Sequence, residues 1–544
     1  MYAYLKEQIQ NALKKIAPDL EIPDFTIEKP RVPEHGDAAS NVALTLAKTL
    51  KNNPRKIAQD IADHMNATSG YIESIEVAGP GFINFRFSHK WLTEQLEKAH
   101  GAGTSFGQSN RLENQKMQVE FVSANPTGPL TVGHGRNAVL GDTVARVLEW
   151  AGARVDREYY FNNAGRQMRV LAESVRARYL QELGLETTFP EDGYEGAYIS
   201  DIAKKVRQEQ GDQLTDEDSL PVFGKAAEER IFEDIKRTLG RMNIAMDSFF
   251  NENTLYEDGS IDHVIEKLRK QDLIYEDDGA TWFKTTQFGK DKDTVLIKSS
   301  GEPTYRLPDI AYHINKLQRG YDLIIDIFGA DHIATYPDVV SAVKACGYNS
   351  DLIDVVVYQF VTIVKDGKPF KMSTRKANFV TLDELMDEVG SDVTRFFFLM
   401  RAPGTHLEFD IGEAKEAGEK NPVFYLQYAH ARIQSIMRKV RDTYEFEKET
   451  PDFSLLQHES EITLIKRLLE FPDTILLTAA QREPHKLINY LDELATAFHK
   501  FYHDCRILGE DKKLAHARTE LLTVTANVLA NGLNILGISA PDHM

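Results

Sequence analysis

The sequence predicts three folded units in one chain: a small α+β domain over 1–110, an α/β domain with a parallel sheet and an inserted segment over 111–380, and an all-α bundle over 381–544. Three observations lead there. Residues 72–87 alternate apolar and polar on either side of a Gly-Pro-Gly turn, strand and helix patterns alternate from Gln118 to about Val364, and strand patterns vanish beyond Thr381. A length of 544 residues is itself too great for one ordinary domain.

In the first unit, Leu5, Ile9, Leu13 and Ile16 recur at helical spacing, and Pro23 and Pro30 end that helix. Helices are also predicted over 39–50, with Val42, Leu44 and Leu46, and over 54–65. Ile72, Ile75 and Val77 predict a strand; Ile83, Phe85 and Phe87, interleaved with Phe82, Asn84 and Arg86, predict its partner. The glycine cluster over 101–107 neither follows a strand nor opens a clear helix, as a dinucleotide loop requires, so it reads as a linker. No GxxxxGKS or GxxxxGKT occurs, which excludes a P-loop.

The second unit begins with a strand over 118–123, a turn rich in Pro and Gly, and a helix over about 135–151 ended by Gly152. Polar helical sequence fills 162–241. It reads as part of an insertion, about 155–250, between the halves of a Rossmann-type nucleotide fold. Strands are expected near 281–284, 294–297, 322–327 and 355–364, and helices between them imply parallel pairing with right-handed crossovers. In the third unit, 383–400, 414–444, 461–477, 485–504 and 512–536 are all helical in pattern.

Composition narrows the function. The hydrophobic share of 42% fits several buried cores, and no segment offers the run of about 18 uncharged apolar residues that a membrane span needs. The N-terminus turns charged and amphipathic at once, unlike a secretory signal. Cys346 and Cys505 form no CxxC pair, which argues against a disulfide framework and fits a reducing, cytoplasmic compartment. A net charge of −19 argues against coating nucleic acid by charge alone, while leaving room for one specific RNA held on local basic surface.

Two loops carry candidate chemistry. The first is Ala124-Asn125-Pro126-Thr127-Gly128-Pro129-Leu130-Thr131-Val132-Gly133-His134, between a strand and a helix start. A helix N-terminus presents free N–H groups and positive potential, which suits phosphate. Gly133 allows close backbone approach to a nucleotide, and His134 can donate to charge developing on a phosphoryl group, or can simply cap the helix. The second loop runs from Lys365 to Lys376, with Lys368, Lys371 and Arg375 around Gly367 and Ser373. A cationic arm of this kind can clamp a pyrophosphate leaving group in the transition state.

Together the two loops resemble the HIGH and KMSKS motifs of class I aminoacyl-tRNA synthetases. Thr131-Val132-Gly133-His134 stands for the first, and Lys371-Met372-Ser373-Thr374-Arg375 for the second. Two departures stand out: the first HIGH histidine is Thr131, and the second KMSKS lysine is Thr374. Arginyl enzymes that lack a motif lysine often carry one just before HIGH, where this chain has Gly128; Lys371, Arg375 and Lys376 are the candidates to balance the pyrophosphate charge.

Further stretches resemble the arginyl-tRNA synthetase family in particular. Asn125 lies in its S-x-N-P-T loop, and Tyr305-Arg306-Leu307-Pro308-Asp309 matches its Y-x-x-x-D element. Glu252 stands where the family keeps a guanidinium-binding glutamate, with Asp247 as the alternative; Gly329, Asp331 and His332 fall in its GADH stretch near adenosine. The 421–433 helix resembles the family's N-P-V-x-Y-x-Q-Y-A-H-A-R-I, and the chain's end, closing on Met544, and the 33–43 and 79–84 stretches extend the likeness over almost the whole length.

The resemblance implies ATP-dependent esterification of arginine to tRNA(Arg) through arginyl-adenylate, with Mg²⁺ accompanying ATP, in a monomeric, cytoplasmic enzyme. It implies catalytic Thr131, His134, Lys371 and Ser373; ATP contacts from Gly133, His134, Gly329, Asp331, His332, Lys371 and Met372; and an arginine pocket of Asn125, Glu252, Tyr305 and Asp309. It also implies tRNA contacts from Asn84, Tyr425, Tyr428, Arg432 and Met544. On pattern alone, Asp309 fits a helix cap or a surface charge equally well, and Tyr425 and Tyr428 fit a core stripe. A small nucleotidylyltransferase with a similar TxGH loop would lack the helical C-terminal unit of about 160 residues.

Overall fold

The structure is a computed structural model, and it describes all residues except 31, 66–69, 366, 370–379, 417, 419–420 and 447–449. The first unit runs α1 (Tyr2–Ile16), β1 (Ile27–Glu28), β2 (Ala38–Ser40), α2 (Val42–Leu50), α3 (Pro54–Met65), β3 (Ile72–Ala78), β4 (Phe82–Phe87) and α4 (His89–Ala102). Its strands form an antiparallel sheet in the order β1-β2-β4-β3, on which Leu5, Ile9, Ile57 and Ile61 help build the core. Helix was expected from residue 39. Instead 38–40 pair with β4, and the helix starts after Ser40, whose Oγ accepts the Val42 N–H at 3.3 Å. Gly81, at φ +139°, packs where a Cβ would sit 2.9 Å from Pro54.

The second unit follows with β5 (Lys116–Glu120), α5 (Val132–Trp150), β6 (Arg154–Phe161), α6 (Gly165–Glu182), α7 (Ala197–Gln210), α8 (Leu220–Arg241), β7 (Ser248–Asn251), α9 (Asn253–Glu257) and α10 (Ser260–Lys270). Then come β8 (Ile274–Asp277), β9 (Ala280–Phe283), β10 (Thr294–Ile297), α11 (Arg306–Gln318), β11 (Leu323–Gly329), α12 (Tyr336–Ala345), β12 (Ile353–Tyr358), β13 (Val361–Lys365) and β14 (Lys368–Pro369). Five strands make the parallel sheet, in the order β12-β11-β5-β6-β7. The order reverses beside β5, so a crevice opens at the carboxyl ends of β5 and β11, where ligands sit in such sheets.

Three features of this sheet depart from the sequence pattern. β6 and β7 are sheet strands, although both touch the span expected as insertion; the helices between them are α6, α7 and α8. Charges at 154, 156, 157 and 158 hide β6; in the structure Asp156 accepts from Tyr321, the Arg157 guanidinium pairs with Glu149, and Glu158 receives Arg319. β9 and β10, expected in the parallel sheet, instead form an antiparallel sheet with β8. The strand expected over 355–364 divides at Gln359 into β12 and β13, which belong to different sheets.

The third unit holds α13 (Leu382–Val389), α14 (Ser391–Leu399), β15 (Leu407–Asp410), α15 (Ile411–Lys415), α16 (Pro422–Thr443), α17 (Glu459–Leu469), α18 (Phe471–Gln481), α19 (His485–Asp504) and α20 (Lys512–Ile535). It is helical but for β15, which pairs in parallel with β13 and buries Leu407 and Phe409. Four residues are too few for their alternation to stand out in sequence. Gly390, at φ +85°, breaks the first predicted helix, and Pro472 starts α18 where a single helix over 461–477 was expected. One apolar core runs from the first unit through the parallel sheet into this bundle, and a second lies around α10, α11 and α12.

Candidate active site

The loop after β5 is fixed from several sides. Val122 and Ser123 hold φ of +68° and +44°, conformations that cost a β-branched residue energy and persist only when neighbours over-determine them. The Val122 N–H donates to Asn137 Oδ1 at 2.5 Å, and Asn137 Nδ2 donates to the Ile327 carbonyl at 2.8 Å, tying β5, α5 and β11 together. Tyr159 OH donates to the Ala124 carbonyl at 2.7 Å, and Asn125 Oδ1 accepts the Asn162 N–H at 3.0 Å. Further along, Tyr198 OH on α7 donates to the Thr127 carbonyl at 2.8 Å, and the Leu130 carbonyl accepts from Leu382 at 2.8 Å.

At the start of α5, His134 Nδ1 accepts the Thr131 N–H at 3.1 Å, so the histidine does cap the helix. Burial lowers the imidazole pKa, favouring the neutral ring. With Nδ1 accepting, that ring carries its proton on Nε2 and keeps one donor for a ligand. Gly133 leaves room on its own side: among the described residues a Cβ there would meet only Thr131 Oγ1, at 3.7 Å. Capping therefore takes up only one of the two ring nitrogens.

At the ends of β6 and β7 the chain gathers acidic groups. Glu252, 7% exposed, accepts from Tyr160 OH at 2.6 Å and from Asn162 Nδ2 at 2.7 Å. Burial raises its pKa. Asp309, half-buried in the first turn of α11, is pushed up to about 7 by desolvation and by the nearby charges of Glu120 and Glu252, against His313 and Lys316. Among the described residues neither carboxylate forms an ion pair with a Lys, Arg or His. Tyr305, one turn before Asp309, is 78% exposed, and its carbonyl accepts the Asp309 N–H at 3.3 Å. Asp247, the alternative to Glu252, is instead committed to the Arg157 N–H at 2.8 Å.

Beneath these groups α11 is bolted to the sheet. Lys316 Nζ pairs with Glu120 and with Asp326 Oδ1 (2.6 Å), while His313 bridges Asp326 Oδ2 (2.8 Å) and the Asp309 carbonyl (2.7 Å). Burial works against the Asp326 charge, but Lys316 and His313 outweigh it and lower the pKa. Neither this network nor Tyr160 and Asn162 was anticipated from sequence. Lys316, Glu120 and Asp326 look like ordinary surface charges until the sheet is assembled, and Tyr160 lies in, and Asn162 directly after, a strand whose charges disguised it.

At the carboxyl end of β11, Gly329 leads into a short turn, and Asp331 and His332 are exposed 3.6 Å apart. Lys371, Met372 and Ser373 lie outside the described residues, as do Thr374, Arg375 and Lys376; β13 and β14 lead up to them. No group of three or more His, Cys, Asp or Glu suited to a metal occurs among the described residues.

Away from the crevice, Tyr425, Tyr428 and Arg432 lie half-buried along one side of α16 against α19. The Tyr425 ring sits 5.1 Å from His499, and the Arg432 guanidinium lies 4.8 Å from the Tyr502 ring. The chain's end lies on the same helix, where the His430 ring bonds the Pro541 carbonyl at 3.0 Å, and Met544 is exposed. Asn84 is 6% exposed in the middle of β4.

Three family models match the chain: Arginyl tRNA synthetase N terminal domain over 3–87, tRNA synthetases class I (R), catalytic domain over 97–396, and DALR anticodon binding domain over 426–544. An arginine–tRNA ligase of Salinibacter ruber is 52% identical, with 100% of both chains covered. One of Desulfotalea psychrophila is 49% identical over 96% of this chain and 95% of its own. The solved arginyl-tRNA synthetase of Thermus thermophilus matches with a TM-score of 0.79 over 100% of each chain; at 23% identity that likeness speaks for the fold.

Proposed function

Because the chain belongs to the arginyl-tRNA synthetase family, we propose that the crevice at the ends of β5, β6, β7 and β11 activates arginine on ATP. The overall reaction is ATP-dependent aminoacylation of tRNA(Arg) through arginyl-adenylate, releasing AMP and diphosphate. One observation carries the placement: among the described residues Glu252 and Asp309 are carboxylates that form no ion pair, next to a phosphate-suited helix start. A guanidinium offers five donors in a planar fork, and paired acceptors of this kind suit it.

In this reading Glu252, oriented by Tyr160 and Asn162, receives the guanidinium, with Asp309, Asn125 and Tyr305 bordering the same substrate. ATP lies across Gly133 and His134, with its adenosine toward Gly329, Asp331 and His332. The arginine carboxylate attacks the α-phosphorus in line as the bond to pyrophosphate breaks. Thr131, His134 through Nε2–H, and Lys371 stabilise the charge that develops, with Met372 and Ser373 in the same arm. Mg²⁺ comes with ATP, held largely by phosphate and water. The 2′-hydroxyl of the terminal tRNA adenosine then attacks the adenylate carbonyl.

The N-terminal unit, 1–110, would contact the tRNA corner through Asn84; 111–380 would carry the catalytic fold; and 381–544 would hold anticodon bases by stacking on Tyr425, Tyr428 and Arg432, with Met544 close by. The enzyme acts as a monomer in the cytoplasm. The test is exchange of radiolabelled pyrophosphate into ATP, expected only when both arginine and its tRNA are added. Exchange supported equally well by lysine or glutamine overturns the pocket assignment.

A further inference from the structure

Arg136 lies one turn into α5, two residues after His134, and it is 1% exposed. Its guanidinium has no carboxylate partner among the described residues. Nη1 donates to the Gln359 carbonyl at 2.6 Å and to the Thr405 carbonyl at 3.0 Å, and Nη2 to the Ala402 carbonyl at 3.2 Å. Burial lowers its pKa to about 10. A buried charge answered only by neutral acceptors is expensive, and a packed apolar side chain would serve stability better.

The place it fastens is informative. Gln359 is the link at which the chain leaves the edge strand β12 of the parallel sheet and enters β13, the strand that leads to the second motif loop. Packing does little to hold this link, since Phe360 is 58% exposed. Hydrogen bonds do it instead: the Gln359 N–H donates to the Pro403 carbonyl at 3.0 Å, and the Phe360 carbonyl accepts from Leu407 at 3.3 Å. Arg136 supplies the bond from α5 itself. Its neighbour Asn137 fastens the same turn to the ends of β5 and β11.

We propose that Arg136 is a positioning residue for the nucleotide, setting the distance between the α5 start, with Thr131 and His134, and the Gln359 link that carries β13. The proposal rests on the reading that ATP lies between the two motif loops. The planar fork matters: one guanidinium spans carbonyls on two separate segments, whereas an ammonium is a point donor on a flexible stem.

The test compares Arg136→Lys and Arg136→Gln with Arg395→Lys in the full chain. Arg395 is equally buried but paired with Asp142 at 2.7 Å, and it donates to Met242 and Leu536. In arginine- and tRNA-dependent pyrophosphate exchange, the Arg136 variants are expected to raise KM for ATP or lower kcat by about tenfold or more, with KM for arginine within about twofold. Arg395→Lys is expected to lower Tm without changing the ratio of the two KM values. The inference fails if the Arg136 variants shift both KM values together, if only Tm falls, or if neither variant folds, since each outcome assigns Arg136 to stability alone. Wild-type exchange without arginine dependence would sink the underlying assignment instead, so the two failures are distinguishable.

Discussion

Glu158, in the middle of β6, receives both arms of Arg319 at 2.6 and 2.7 Å, together with Tyr312 and Ser248, whereas Glu252 and Asp309 receive no guanidinium among the described residues. Burial opposes the Glu158 charge, but these partners hold its pKa at about 2; Glu252 and Asp309 are shifted the other way. Among the described residues the chain thus completes the fork on Glu158 itself and leaves Glu252 and Asp309 without one. Buried acids with a built-in cation hold the sheet and α11 together; those without one are the acids to which the proposed function assigns the cationic substrate.

The contrast breaks most sharply at Glu252. Glu252→Gln is expected to reduce kcat/KM for arginine roughly 100-fold, about 3 kcal/mol, with KM for ATP little changed. A comparable shift in both constants in exchange assays would put Glu252 among the structural acids. Glu158→Gln should do the reverse. Unfolding in denaturant should show a loss of about 3 kcal/mol, while KM for arginine stays within about threefold.

A finer distinction lies in pH. Arginine remains charged throughout, so the acid limb of its kcat/KM belongs to the enzyme. With Asp309 titrating near 7, that limb should fall as pH drops below about 7, and Asp309→Asn should flatten it. Linkage has the opposite sign for stability. A carboxyl whose folded pKa lies above its unfolded 3.8 destabilises the fold as pH rises past 3.8. Asp309→Asn should therefore stabilise the substrate-free enzyme by about 2 kcal/mol at pH 8 and hardly at all at pH 4, as read by melting in the two buffers. The smallest effect is expected far from the crevice, where Arg432→Ala should raise KM for tRNA about fivefold and leave KM for arginine unchanged.

The sequence foreshadows the open fork better than the closed one. Asn125, Glu252, Tyr305 and Asp309 could be picked out by position around recognisable loops, and the helical C-terminal unit by its long apolar periodicity. What stayed hidden is what depends on assembly. β6 reads as polar because Asp156 and Glu158 receive Tyr321 and Arg319 only once α11 and the residues after it pack onto the sheet. Lys316 looks solvent-bound in a helix pattern, yet it is fully buried between Glu120 and Asp326. β15 is too short for periodicity to reveal, and Arg136 shows its importance through three carbonyls that leave no trace in side-chain pattern.

Tyr198 on α7 reaches back to the Thr127 carbonyl, and its hydroxyl lies 3.0 Å from where a Cβ on Gly128 would stand. The glycine and the tyrosine therefore form one steric unit drawn from the loop after β5 and the inserted helices. A lysine placed at 128 alone would press on the phenol and disturb that bond; trimming residue 198 at the same time would relieve it. Transplanting the lysine-bearing version of this loop into the present background should accordingly show sign-dependent epistasis between these two sites.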